Sequence, residues 1–249
     1  MINTKIEWSD KTWNPTTGCN KVSAGCKNCY ADALAKDMQS KKYPKYVNGF
    51  EFRTHEYTLS EPSKLKTINS RIFVNSMSDL FHEDMPIDFL QKVFKVMNEN
   101  RHHIFQVLTK RSNILKEVDS KGLINWTPNI WMGVSVEDEK VVHRIDDLRA
   151  TSAHVKFLSC EPLIGPLYNL HLDGIDQVIV GGESGPVRRP IEEDWVLDLK
   201  SQCQDADVVF YLKQWGGRFP DSNGCLLNGK TYHEYPNAYS DHKNKLLVI

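Results

Sequence analysis

Short apolar strands alternate with amphipathic helices along most of this chain, and that alternation limits the folds open to it. The run 71–76 is β-branched and aromatic, and apolar residues in 87–98 recur on one face of a helix. The remaining strand and helix patterns lie at 104–109, 112–118, 129–136, 139–148, 155–159, 177–180, 192–203 and 208–212. Nearly continuous apolar strands that alternate with helices indicate a parallel sheet covered by helices.

A less well defined strand at 12–17 brings the total to about seven strands. The pattern predicts an α/β fold, a partial or nearly closed parallel βα barrel of the TIM type with about six or seven strands. A doubly wound open sheet is the competing architecture, and periodicity does not separate the two. We expect residues 1–249 to form a single domain, with an insertion at about 40–70 and a C-terminal extension at about 216–249.

Charge and hydropathy narrow the class of protein. With 31 basic and 32 acidic residues the net charge is -1, so no global field attracts the chain to nucleic acid. The N-terminus has no apolar signal region, and no apolar run approaches the roughly 18 residues that span a bilayer. These features predict a cytoplasmic protein without a membrane partner. In that compartment, six cysteines favour metal binding or catalysis over disulfides.

Three of the cysteines, Cys19, Cys26 and Cys29, fall within eleven residues, in a loop that leads into a helix. Gly18 and Gly25 allow the tight backbone that a metal-binding loop needs. A structural zinc site wants four ligands, so His55, Cys160 or another distant residue would have to complete it. Three inert cysteines without metal are a further alternative. A [4Fe–4S] cluster on three cysteines leaves one iron open for a substrate or cofactor.

The strand ends are unusually polar, and in βα barrels the chemistry gathers at the carboxyl ends of the strands. The polar ends are Asn75–Asp79, Thr109–Arg111, Ser135–Asp138, Ser159–Pro162, Gly181–Ser184 and Lys213–Trp215. Helix capping or surface exposure explains any single residue equally well. Six consecutive polar ends on one rim favour a binding site.

With its cysteine loop, its βα alternation and its Gly181–Gly185 element, the sequence resembles the radical S-adenosylmethionine superfamily. More narrowly, it is similar to a phage- and prophage-associated family of radical-SAM-like proteins. The similar stretches are 16–31, 75–82, 108–111, 131–138, 158–166, 180–190 and 213–217. The spacing here is C-x6-C-x2-C, whereas the superfamily usually has C-x3-C-x2-C. Asn28 replaces the usual aromatic residue before the third cysteine, and the Gly-Gly-Glu follows a late strand instead of the second.

The resemblance implies that Cys19, Cys26 and Cys29 bind a [4Fe–4S] cluster, and that S-adenosylmethionine is cleaved there to a 5′-deoxyadenosyl radical. It also implies an electron donor such as a flavodoxin or ferredoxin. The phage context of the family suggests a nucleotide or a nucleic-acid base as the substrate, and a peptide or a substrate delivered by a partner stays open. The net charge does not support tight unaided binding to a duplex. The alternative is a non-enzymatic zinc module that contacts nucleic acid or a partner protein.

The cofactor's polar groups suggest contacts along the rim. We expect Asn75 and Ser76 to contact the methionine moiety, Lys110 the carboxylate, Ser135 and Glu161 the ribose, and Gly182 and Glu183 the adenosine or the substrate. Cys160 at a strand end is expected in the core, as are Cys203 and Cys225.

Overall fold

The structure is a computed structural model that describes residues 2–4, 6–220 and 222–246. The strands are β1 (Ile2–Asn3), β2 (Lys11–Trp13), β3 (Thr16–Thr17), β4 (Arg53–Thr54), β5 (Arg71–Val74), β6 (Ile104–Thr109), β7 (Ile130–Ser135), β8 (Val155–Cys160), β9 (Gln177–Gly181) and β10 (Val209–Gln214). The α-helices are α1 (Tyr30–Ser40), α2 (Ile87–Glu99), α3 (Ser112–Ser120), α4 (His143–Arg149), α5 (Glu193–Asp205) and α6 (Asn237–Leu246). Within this part of the chain, no helix is both long and apolar enough to cross a membrane.

One sheet of the described residues has the strand order β1-β2-β5-β6-β7-β8-β9-β10. The strands from β2 to β10 in this sheet run parallel, and β1 pairs antiparallel with β2 at the edge. The order follows the chain without reversal. It therefore confirms the barrel type of fold and excludes the doubly wound sheet, whose strand order reverses at a switch point.

Aromatic contacts show how strongly the sheet curls. In a flat sheet, β5 and β10 would lie about 24 Å apart, five strand spacings away. Yet the Tyr235 ring lies 5.6 Å from the Tyr211 ring of β10, and its centroid lies 4.5 Å from the Arg71 guanidinium of β5. Trp8 likewise contacts Phe73 on β5 and Phe157 on β8. The sheet is a curled half-barrel, and the C-terminal segment bridges its open side.

Two apolar layers lie on the two faces of the sheet. The inner face carries an interior cluster formed by Trp8, Phe73, Ile104, Trp131, Val155, Phe157, Ile179 and Tyr211. The outer face packs against α2–α5 in the main core. Gly133 belongs to the inner face because a Cβ there would lie 2.4 Å from the Phe157 ring. The barrel interior is therefore filled with side chains, and the rim at the carboxyl ends is left for chemistry.

The structure departs from the sequence prediction near the N-terminus and after β7. The strand expected at 12–17 is split into β2 and β3, because Pro15 has no N–H for a continued ladder, and β3 pairs with β4 in a separate sheet. The helix expected at 139–148 is a 3-10 turn, Glu139–Val141, followed by α4. The segment 216–246 of the expected C-terminal extension contains α6, and 247–249 lie outside the described residues.

Candidate functional site

The cysteine loop lies at the carboxyl edge of the sheet, and its entry is fixed by backbone contacts. Gly18 N donates to Met77 O (3.0 Å), and Cys19 N donates to Phe50 O (3.1 Å). Gly18 has φ of +84°, and a Cβ there would lie 2.0 Å from Glu51 O. Only glycine fits this close backbone approach.

The exit of the loop is the start of helix α1. Cys29 is the N-cap residue of α1, and its side chain makes no capping hydrogen bond. Cys26 is the last residue of a 3-10 turn, Ala24–Cys26, and precedes Cys29 by three residues. The positive end of a helix dipole favours negative charge, and Cys29 lies at that end of α1.

Arg111 reaches the first cysteine from the end of β6. Its Nη1 donates to Cys19 Sγ (3.3 Å) and to Asp79 Oδ2 (3.2 Å), and both Arg111 and Asp79 are buried. Burial and the Asp79 charge raise the pKa of Cys19 to about 11, and Arg111 opposes that rise. Arg111 also donates to Asn20 O (3.3 Å), so it contacts the loop backbone next to the Cys19 thiol.

Glu137, just beyond the end of β7, is fully buried. Its Oε1 accepts from Ser23 Oγ and from Gly25 N (3.2 Å), and its Oε2 accepts from Arg144 Nη1 (2.9 Å). Burial alone raises the pKa of Glu137. The nearby Lys110 charge, together with Ser23, Arg144 and the Gly25 N–H, more than offsets burial and lowers this pKa. Glu137 is therefore an anion that holds the middle of the cysteine loop.

Glu183, just beyond the end of β9, holds the same loop further along. Its Oε2 accepts from Asn28 Nδ2 (2.9 Å) and from Arg189 N (2.8 Å), and the Arg189 guanidinium pairs with both oxygens. Arg189 Nη1 then donates to Ala24 O (2.9 Å). Burial raises the pKa of Glu183, but the Arg189 and Asn28 hydrogen bonds outweigh it and lower the pKa.

The remaining predicted residues are spread along the rim. Lys110 Nζ donates to Ser135 Oγ (2.9 Å), so these two predicted cofactor contacts are brought together. Glu161 forms an ion pair with Lys213, and both are partly open to solvent. Lys110 is also partly open to solvent, whereas Ser135 is fully buried.

Asn75, Ser76 and Gly182 contact the protein itself. The Asn75 amide accepts from Thr16 N and donates to Thr16 Oγ1, and Ser76 Oγ donates to Asn14 Oδ1 (3.2 Å). Gly182 is in close contact with the next loop, since a Cβ there would lie 2.4 Å from Trp215 O. All three positions therefore have partners or close contacts within the protein itself.

Sequence reasoning did not single out Arg144 or Arg189, which neutralise the two buried glutamates. Arg144 lies in a helix and Arg189 in a loop, and a surface arginine looks the same in sequence. Glu137 was noted only as one polar residue of a strand end. The available signal is its position two residues after a mainly apolar strand, where a buried carboxylate must find a partner.

Three cysteine thiols are suitable donors for a thiolate-bound metal group, although their side chains are not clustered as a metal site in this structure. Among the described residues, no three or more His, Cys, Asp or Glu side chains are clustered as a metal site. The loop nevertheless brings three thiols to one rim, with a guanidinium on Cys19 and a helix N-terminus at Cys29. Cys160 is buried in the main core and His55 Nε2 bonds to Thr17 Oγ1 (2.8 Å), so each residue named as a fourth zinc ligand already has contacts within the protein.

The profile of a protein family described as "Protein of unknown function (DUF5131)" matches residues 3–236. The chain belongs to this family. The matched range of DUF5131 includes the three cysteines and the side chains described above that hydrogen-bond to their loop. Among curated proteins, none matches the chain in sequence.

Two solved structures are similar to this chain. One is spore photoproduct lyase complexed with dinucleoside spore photoproduct, with a TM-score of 0.48, and the other is a mutant of that lyase with dinucleoside spore photoproduct, with a TM-score of 0.49. Each is 11% identical and covers 83% of this chain. The DUF5131 chain spans 64% of the length of these lyase chains.

Proposed function

We propose that this protein is a radical S-adenosylmethionine enzyme in which Cys19, Cys26 and Cys29 hold a [4Fe–4S] cluster. The observation that carries the proposal is the placement of this three-thiol loop at the carboxyl rim of a curled parallel half-barrel. A cluster bound by three cysteines keeps one iron open, and its chemistry when reduced is the cleavage of S-adenosylmethionine to a 5′-deoxyadenosyl radical.

The chain's own residues would bind and orient the cofactor. Lys110, beside Ser135, is the cation proposed for the cofactor carboxylate. Ser135 and Glu161 are proposed for the ribose hydroxyls, and Asn75 and Ser76 stay our prediction for the methionine moiety. The filled barrel interior below the rim excludes water from the reacting groups.

A cleft of about 630 Å³ beside Glu183 offers an entrance for the substrate. Arg188, Ile191, Trp215 and Asn223 line this cleft, so a cation and an aromatic ring face it together. A nucleotide or a nucleic-acid base remains the proposed substrate class. It follows from the family resemblance, and this lining is compatible with it because bases stack on aromatic rings and phosphates pair with arginine.

The decisive experiment is anaerobic reconstitution of the protein with iron and sulfide. We expect a brown protein whose visible absorbance bleaches with a strong reductant and which then forms 5′-deoxyadenosine from S-adenosylmethionine. Cys26→Ala should lose both the colour and the product. The matched control is Cys225→Ala, which removes a half-buried cysteine outside the loop. A colourless protein that holds one equivalent of zinc after reconstitution would contradict the proposal and support the zinc module.

A further inference from the structure

The widened spacing of the cysteine loop has a structural counterpart on the barrel rim. The six residues between Cys19 and Cys26 are Asn20–Gly25. Four of these residues bond to side chains that follow separate strands: Asn20 to Arg111, Ser23 and Gly25 to Glu137, and Ala24 to Arg189. The six-residue spacing therefore provides four residues that hydrogen-bond to the barrel rim, and we call the rim side chains Glu137 and Glu183 the anchors of the loop. A three-residue spacing offers fewer residues for such contacts.

The Glu137 anchor needs a residue without a side chain in the loop. A Cβ on Gly25 would lie 2.9 Å from Glu137 Cδ, so the carboxylate packs directly on the loop backbone. The charge of Glu137 is balanced by Arg144, which also donates to Ser135 O (2.8 Å). A buried carboxylate is costly unless it is paired and hydrogen-bonded. The carboxylate of Glu137 accepts hydrogen bonds from the loop, through Ser23 and Gly25, and from the arginine that neutralises it.

The Glu183 anchor ties both sides of Cys26. Asn28 follows Cys26 and donates to Glu183, whereas Ala24 precedes Cys26 and accepts from Arg189. Since Arg189 is itself bonded to Glu183, one ion pair holds both flanks of this cysteine. Both carboxylate oxygens of Glu183 are used inside the protein. This arrangement departs from our sequence expectation that Glu183 contacts the adenosine or the substrate.

We propose that Glu137 and Glu183 are positioning residues that fix the backbone of the widened cysteine loop from the barrel rim before any metal binds. The late Gly-Gly-Glu element then serves to hold the loop. This inference rests on the proposed function only for the identity of the metal group. Whether the loop is held in place in the metal-free chain does not depend on which metal group the cysteines bind.

Alkylation of the metal-free protein tests the proposal without any enzyme activity. In Glu183→Gln, iodoacetamide should modify Cys26 and Cys29 about fivefold or more faster than in the wild type, as local opening of the loop exposes them. Cys225 and the buried Cys203 provide internal references within the same digest, and their rates should not change. Glu139→Gln, which removes an exposed carboxylate two residues after Glu137, is the matched control variant.

Cobalt(II) gives a second measurement, because its thiolate absorbance reports the geometry of the ligands. We expect Glu137→Gln and Glu183→Gln to weaken cobalt binding about tenfold, the usual range for groups that orient metal ligands. If either variant fails to fold, Asn28→Ala decides, since it deletes a single hydrogen bond of a half-buried side chain. Unchanged alkylation and cobalt affinity in Asn28→Ala and Glu183→Gln would overturn the proposal.

The two proposals fail in different ways. If reconstitution gives no iron–sulfur cluster but loop alkylation rises in Glu183→Gln, the enzyme proposal is wrong and the positioning role stands. If the cluster forms and the alkylation rates and cobalt affinities of the variants match those of the wild type, the positioning role is wrong and the enzyme proposal stands.

Discussion

Glu137 Oε2 lies 2.9 Å from Arg144 Nη1, and both side chains are buried beneath the cysteine loop. Buried ion pairs of this kind contribute little net stability compared with apolar residues, but removing one partner leaves an uncompensated charge. The pair thus links the stability of the fold to the position of the loop.

We predict that Arg144→Met lowers the free energy of unfolding by about 3 to 5 kcal/mol, because it leaves the buried Glu137 carboxylate without its ion-pair partner. The double change Arg144→Met with Glu137→Met should cost less than the single one, as the buried charge is then absent. Urea denaturation of the single and double variants measures this coupling. As a control, removing the exposed Glu117–Lys121 pair should leave stability unchanged. Additive losses at 137 and 144 would contradict the prediction.

A second prediction concerns the glycine at the loop entry. Gly18→Ala should destabilise the protein more than Gly122→Ala, although both glycines have positive φ. Gly122 has open space around it, so its substitution costs only backbone strain of about 1 kcal/mol. At Gly18 the added Cβ also meets the backbone of Glu51, which has no flexible end to move away. Thermal unfolding of the two variants checks the order, and equal losses would show that the close approach is relieved elsewhere.

Much of the fold could be predicted because local pattern and tertiary structure agree in the strands. The strand predicted at 104–109 is β6, and the helix predicted at 87–98 differs from α2 by one residue. Alternation of strand and helix also indicated the parallel half-barrel. Pro15 marks the break between β2 and β3 locally, but the pairing of β3 with the distant β4 depends on contacts that no local window contains.

The site was predicted only in part, for a different reason. Cysteine spacing identifies thiols that share a loop, but the hydrogen bonds that hold this loop join residues far apart in sequence, such as Ser23 and Glu137. A polar residue at a strand end has the same sequence signal whether it faces a cofactor or holds a loop. Glu183 illustrates this limit, since its carboxylate contacts Asn28 and Arg189.

A third prediction concerns pH. His103 is fully buried, and burial, followed by the charges of His102, His242 and Lys11, lowers its pKa to about 4. Its Nδ1 accepts from Ser70 N (3.3 Å), so a proton at Nδ1 would break that bond. The unfolded chain binds this proton near pH 6.5, whereas the native chain does not bind it until about pH 4. Stability should therefore be complete above pH 6.5 and fall as the pH decreases from 6.5 toward 4.

Between pH 7 and pH 5, His103 should account for a loss of about 2 kcal/mol. His55, whose pKa is also lowered to about 4 by burial and by Lys45 and Arg53, adds to the slope in the same direction. Urea denaturation at several pH values should thus show a shallower slope for His103→Gln than for the wild type. Equal slopes would mean that His103 binds its proton at the same pH in the native and unfolded chains, which would contradict the prediction.

The last prediction concerns the closure of the half-barrel by Tyr235. This ring bridges Arg71 on β5 and Tyr211 on β10, strands that are joined by no hydrogen bonds in the described residues. Tyr235→Ala should lower the free energy of unfolding by about 1 to 3 kcal/mol, since it removes an aromatic contact and a cation–π contact together. Tyr235→Phe keeps the ring and should retain most of that stability.

Limited proteolysis distinguishes the two variants. The segment 236–246 should be cut earlier in Tyr235→Ala, because α6 would lose its link to the barrel. Cleavage at the wild-type rate in Tyr235→Ala would show that other contacts of the C-terminal segment keep the open side covered.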